Sequence, residues 1–122
     1  MSAVNVNTGE IAWRVPLGSF EDLDALGVLK TGTPNVGGSI ATAGGLVFIG
    51  AISDSRFRAF DSKTGQEVWV TKLNDVAQSV PITYLGKNGK QYIAVMAAAA
   101  GGPLAGAAPL TGTGRLYVFA LP

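Results

Sequence analysis

An eleven-residue pattern returns at a constant offset of 56 residues, and this repeat limits what the chain can fold into. Ala3, Asn5, Thr8, Gly9, Glu10 and Trp13 are matched by Ala59, Asp61, Thr64, Gly65, Gln66 and Trp69, and Leu17 is matched by Leu73. A partial third copy follows, in which Arg115 to Phe119 resembles Arg56 to Phe60. Repeats of this length are single supersecondary units that bury their apolar faces only by stacking on their neighbours. Each copy predicts a β-hairpin. Apolar residues lead to a polar corner, and Gly9 or Gly65 permits the positive φ of a tight turn. Asn5 or Asp61 can bond the N–H groups of that turn, and Thr8 or Thr64 can do so more weakly.

Further strands fill the interval. Stretches 39–43 and 46–51 flank Gly44-Gly45, which reads as a two-residue hairpin turn. Stretches 80–84 and 91–97 flank a Gly/Asn/Lys turn. Between residues 17 and 35 the alternation stops, and Ser19 is predicted to cap a short helix whose first turn holds Glu21 and Asp22. Four-stranded units at this spacing are the mark of propeller blades. The expected fold is all-β: a partial β-propeller of about two to two and a half four-stranded antiparallel blades. Residues 1–17 read as a half blade, 18–35 as an inter-blade connection, 36–73 as a complete blade and 74–122 as three strands of another. Closure cannot occur within these residues, so open edges are expected, and such edges invite association with the remaining blades or with another copy.

Composition excludes several chemistries. The chain is 48% apolar and carries nine basic against eight acidic residues, so it lacks the basic excess of a nucleic-acid binder. It contains neither cysteine nor histidine, which removes thiolate nucleophiles, Cys-based zinc sites and the commonest general base. A charge-free stretch spans residues 92–110, but its alanines, glycines and two prolines favour a buried strand followed by a loop over a membrane span.

The repeated turn resembles the tryptophan-docking motif of quinoprotein dehydrogenases, roughly Ala-x-Asp-x-x-Thr-Gly-Lys-x-x-Trp. Ala59, Asp61, Thr64, Gly65 and Trp69 match it, as do Thr8, Gly9 and Trp13 in the first copy, with Asn5, Glu10 and Gln66 departing from it. Residues 32–50 and the closing Tyr117-Val118-Phe119-Ala120-Leu121-Pro122 are similar to the C-terminal part of membrane-bound quinoprotein glucose dehydrogenases. The Ala-rich loop at 97–114 departs from that family. The resemblance implies an eight-bladed propeller that binds pyrroloquinoline quinone (PQQ) and calcium or magnesium, oxidises glucose or another aldose to the lactone, and passes electrons to ubiquinone. It also implies a periplasmic domain attached to the inner membrane, with the catalytic acid and main metal-binding segment upstream of these residues. The isolated chain is therefore expected to be inactive, and none of its residues is assigned a catalytic or metal-binding role. The alternative reading is a non-catalytic propeller module for protein binding or assembly.

Asn35, Gly37, Gly38 and Ser39 form the candidate PQQ neighbourhood: glycines let backbone approach a planar ligand, and Asn35 and Ser39 supply hydrogen bonds. A turn leading into a buried strand is the competing reading. Trp13 and Trp69 read as inter-blade packing, Asp61 as a turn residue, Glu21, Asp22 and Asp24 as a solvated helix start, and Arg56, Arg58 and Lys63 as solvated faces.

Overall fold

The computed structural model describes residues 1–28, 31–98 and 113–120. Its strands pair antiparallel in three sheets. The first is the hairpin β1 (Ser2–Val4) and β2 (Ile11–Arg14). A short helix, α1 (Glu21–Ala25), lies in the connection that follows. The second sheet runs in order β3 (Ser39–Ala41), β4 (Leu46–Gly50), β5 (Arg56–Asp61) and β6 (Glu67–Lys72). The third contains β7 (Val76–Ala77), β8 (Ile82–Leu85), β9 (Gln91–Ala98) and β10 (Arg115–Ala120). This up-and-down order, repeated and stacked, is a partial β-propeller. No helix among the described residues is long and apolar enough to cross a membrane. Residues 99–112 of the Ala-rich loop, and with them the end of the charge-free stretch, lie outside the described residues.

β7 and β8 occupy one edge of β9 in succession. Val76 and Ala77 pair with Ala98 and Ala97, and Ile82 to Leu85 pair with Ala94 to Gln91. Between them the backbone bulges, and Ser79 takes the place of the missing ladder. Its hydroxyl accepts the Met96 N–H at 3.0 Å and donates to the Met96 carbonyl at 3.1 Å. A hydroxyl can do both because it carries a donor and two lone pairs. The stretch predicted at 80–84 is thus a strand at 82–85, preceded by a shorter one that its alternation did not reveal.

Two expectations about local structure are corrected. Gly44-Gly45 belongs to a three-residue loop: the Thr42 N–H donates to the Leu46 carbonyl, and Gly45 takes the left-handed conformation at φ +83°. Three-residue hairpins place such a residue last because that backbone geometry restores the strand twist. The helix is capped at Phe20, not Ser19, and makes no side-chain cap bond. Ser19 is buried, and its hydroxyl is committed elsewhere.

The core lies between the second and third sheets. Alternate residues of a strand share a face, so Ile40, Phe48 and Phe57 meet Ile93, Val95, Ala97, Tyr117 and Phe119. Phe57 is fully buried and stacks on Phe48 at 6.0 Å and Phe119 at 5.9 Å, with Trp69 edge-on at 6.2 Å. The opposite face of the second sheet packs Ile49 and Phe60 on Leu17, Val15 and Met1. Truncation of Phe57 removes the one ring shared by all three aromatic contacts. Phe57→Ala is expected to destabilise the chain by about 3–5 kcal/mol, read from urea unfolding followed by tryptophan fluorescence.

Candidate functional site

Asn35 to Ser39 leads into β3, an edge strand of the second sheet. The Asn35 side chain closes a turn on itself: Oδ1 accepts the Gly37 N–H at 3.1 Å, and Nδ2 donates weakly to the Gly37 carbonyl at 3.4 Å. The glycines have a cause within the protein. A Cβ on Gly37 would stand 3.3 Å from the Ala77 carbonyl oxygen and 3.4 Å from that of Gln78, and one on Gly38 would strike Val80. The bulged segment between β7 and β8 therefore fills the space that side chains would need. Asn35 and Ser39 remain as the groups of this segment with hydrogen-bonding side chains. Asn35 also borders a shallow cleft lined by Met1, Pro16, Leu17, Gly32, Thr33, Pro34 and Ile49. Beside it sits Thr33 Oγ1, a buried side-chain oxygen without a hydrogen-bond partner among the described residues.

The repeated motif joins neighbouring sheets. The Trp13 indole N–H donates to the Ser62 carbonyl at 2.9 Å, in the turn of the following repeat. Gly65 lies against the face of the same ring, and a Cβ there would come within 2.6 Å of it. Gly65 is thus required twice, by its φ of +73° and by the indole. Ala59 pairs with Trp69 across the ladder as Ala3 pairs with Trp13, and Trp69 meets Phe119 edge-to-face at 5.3 Å. In the turn, Asp61 Oδ1 accepts from the Lys63 and Thr64 N–H groups and from the Thr64 hydroxyl. In the first copy Asn5 accepts from Asn7, and Thr8 accepts from the Glu10 N–H. The Thr64 N–H and hydroxyl, then the Lys63 N–H, hold the Asp61 carboxyl below its ordinary range.

The sequence reading missed Asp54. Its carboxylate is fully buried and accepts the Ser19 and Arg56 N–H groups at 3.1 Å each, together with two nitrogens of Arg58. Arg58 is only 5% exposed and also donates to Glu67 at 3.0 Å. Arg58 is therefore not a solvated face residue, since a buried guanidinium persists only when paired. The acidic helix start is not wholly solvated either: Asp24 accepts the Ser19 hydroxyl at 2.7 Å, and Glu21 pairs with Lys72. The pattern Ser53-Asp54-Ser55 before a strand was a usable signal, because it is a turn acid four residues ahead of an arginine. Among the described residues, no group of three or more His, Cys, Asp or Glu side chains is placed to hold a metal ion.

Antiparallel four-stranded blades, joined through a tryptophan that docks on the turn of the next repeat, define a segment of a β-propeller. A model of the family "Glucose/ethanol/alcohol dehydrogenase, beta-propeller domain" matches residues 1–93. The chain belongs to this family of PQQ-dependent dehydrogenases. It is 42% identical over 106 residues to a probable quinate dehydrogenase (quinone) of Xanthomonas campestris pv. juglandis, a match covering 82% of the chain and 13% of the relative. It is 39% identical over 101 residues to quinoprotein glucose dehydrogenase A of Acinetobacter calcoaceticus, covering 80% of the chain and 12% of that relative. A europium-containing methanol dehydrogenase has a similar structure, with a TM-score of 0.70 and 30% identity over 97% of this chain and 22% of its own. The chain thus spans about an eighth of the length of these two relatives.

Two outcomes are expected at the ionic sites. Asp54→Ala strands Arg58 in the interior and should cost about 3–5 kcal/mol, whereas Lys72→Ala breaks only an exposed pair and should cost under about 1 kcal/mol. Urea titration of both variants compares them directly. For Asp61 the folded carboxyl titrates lower than the unfolded one. Its stabilising contribution is therefore complete above the ordinary carboxylate range and is lost as pH falls through the lower folded value. The stability gap between wild type and Asp61→Asn should narrow on acidification, as measured by denaturant midpoints from neutral pH downward.

Proposed function

We propose that the chain is part of a longer PQQ-dependent dehydrogenase that oxidises glucose or another aldose to the lactone and reduces ubiquinone. The observation that carries this reading is the family match over residues 1–93, together with the likeness to a quinoprotein glucose dehydrogenase. In this reading the missing blades pair with the open edges of the first and third sheets. The longer protein works in the periplasm, attached to the inner membrane through its N-terminal part, and uses calcium or magnesium.

The residues present fit one edge of the cofactor. Asn35 and Ser39 are neutral hydrogen-bonding groups beside β3, suited to the carbonyl or carboxylate rim of a planar ring system. The 3.4 Å bond from Asn35 Nδ2 is long enough to be exchanged for a ligand contact. Gly37 and Gly38 act indirectly, by letting the neighbouring blade's bulge hold this segment in place. Bound PQQ supplies the two-electron acceptor for alcohol oxidation. The donor set does not fit a divalent cation, which takes several carboxylate or carbonyl oxygens, so the metal belongs to other parts of the longer protein.

A redox-dye assay tests the reading. The 122-residue chain, given PQQ, calcium and glucose, is expected to reduce no dye. The longer protein containing it is expected to do so with glucose and to lose activity without PQQ. Oxidation of quinate but not of any aldose would overturn the substrate assignment, and dye reduction independent of PQQ would overturn the whole reading.

A further inference from the structure

The turn joining β8 to β9 carries the sequence Lys87-Asn88-Gly89-Lys90, and all four residues are exposed. Of the five asparagines in the chain, only Asn88 precedes a glycine; Asn5, Asn7, Asn35 and Asn74 precede Val6, Thr8, Val36 and Asp75. The difference bears on one reaction. The backbone nitrogen of the following residue can attack an asparagine side-chain carbonyl carbon, and a side chain on that residue stands in its way. Gly89 has none, and even a Cβ placed there would meet nothing within 4 Å, so the approach is open.

The native turn opposes this reaction. The Gly89 N–H, on the attacking nitrogen, donates to the Gly86 carbonyl at 3.0 Å. Asn88 Oδ1 accepts the Lys90 N–H at 3.2 Å, and Nδ2 donates to the Tyr92 hydroxyl at 2.8 Å. Tyr92 is itself stacked on Tyr84, with ring centroids 5.4 Å apart. A Cβ on Gly86 would come within 2.5 Å of the Tyr92 ring and 2.8 Å of Asn88 Oδ1, so both side chains lie folded over that glycine. Exposed bonds of this kind each contribute little net, and such a turn opens locally far more often than the sheet unfolds.

We propose that Asn88 is a modification site of this chain, deamidated at a rate set by the opening of the turn that Tyr92 holds. A bond forms from Gly89 N to Asn88 Cγ, the nitrogen gives its proton to solvent, and Nδ2 leaves as ammonia, closing a cyclic imide. Water then opens one of the ring's two carbonyl–nitrogen bonds. Attack at Cγ gives aspartate, and attack at the main-chain carbonyl gives iso-aspartate, whose backbone runs through Cγ. The balance is one amide and one water exchanged for one carboxylate and one ammonium ion. Lys87 and Lys90 flank the site, and their charge favours the negative charge that builds on the nitrogen. The chain has nine basic and eight acidic residues, so one new carboxylate takes its formal net charge from +1 to zero, where proteins associate most readily. The site is independent of cofactor and substrate.

Incubation of the 122-residue chain at mildly alkaline pH, followed by isoelectric focusing and peptide mapping by mass spectrometry, tests this. An acidic band is expected, with the change confined at first to Asn88. Folded wild type should convert about tenfold or more slowly than the same chain in urea, because the bonds of the turn must open first. Tyr92→Phe keeps the ring and removes the hydroxyl, and should speed conversion of the folded chain about two- to tenfold, the span of one lost hydrogen bond. In urea the two chains should convert at the same rate. If Tyr92→Phe fails to fold, which circular dichroism would reveal, the comparison of wild type with and without urea decides. Earlier conversion of any other asparagine, or an intact Asn88 in the folded chain after its complete conversion in urea, would overturn the site. Equal rates for wild type and a folded Tyr92→Phe, or for wild type with and without urea, would overturn the control by the turn.

Discussion

The burial of Phe57 between two sheets is the contact on which the rest of this structure depends. A single blade is a four-stranded sheet with two apolar faces, and it cannot keep both from water. The ring of Phe57 meets Phe48 of its own sheet, Phe119 of the next and the edge of Trp69. It thereby fixes the separation and angle of the two sheets. Apolar area removed from water drives this stacking, and the aromatic geometry makes one arrangement better than its neighbours. The close approach in turn demands bare backbone where Gly37, Gly38 and Gly50 face Ala77 to Val80.

Polar groups then fix how the connection between the first and second sheets runs. Asp54 gathers the Ser19 N–H, the Arg56 N–H and the Arg58 guanidinium at one buried point, and Asp24 and Glu67 extend the cluster to the helix and to β6. A buried carboxylate is tolerated only with several donors, so this cluster admits few alternative paths for residues 18–28. Trp13 performs the matching task between the first hairpin and the second sheet, where its N–H and ring face both address the turn of the following repeat.

In the proposed function the chemistry is distributed over a longer polypeptide than these residues. Family membership names PQQ chemistry, while the local donor set provides two neutral side chains beside β3. On the proposed reading these two groups orient one edge of a planar cofactor, and the proton and cation chemistry lies elsewhere in the longer protein. Relatives named for quinate and for glucose resemble this segment to nearly the same degree, as expected if its role is architectural. Substrate discrimination depends on groups that touch the substrate, and those need not lie on the blades that build the frame.

The repeat alone determined the hairpins and the turn chemistry of Asp61, because turn geometry and strand alternation are local and leave their mark on adjacent residues, whereas the docking role of Trp13 and Trp69 came from the motif's resemblance to quinoprotein dehydrogenases. It also determined that the residues form stacked blades, since a unit of this length has no other way to bury itself. Only the tertiary structure decided that Arg58 is buried on Asp54, that Ser79 replaces a backbone pair at the bulge, and that Gly37 and Gly38 leave room for the neighbouring sheet. Each of these depends on which groups from distant parts of the chain come within a few ångströms once the sheets stack. Charge and hydropathy along a strand carry no record of what will face it.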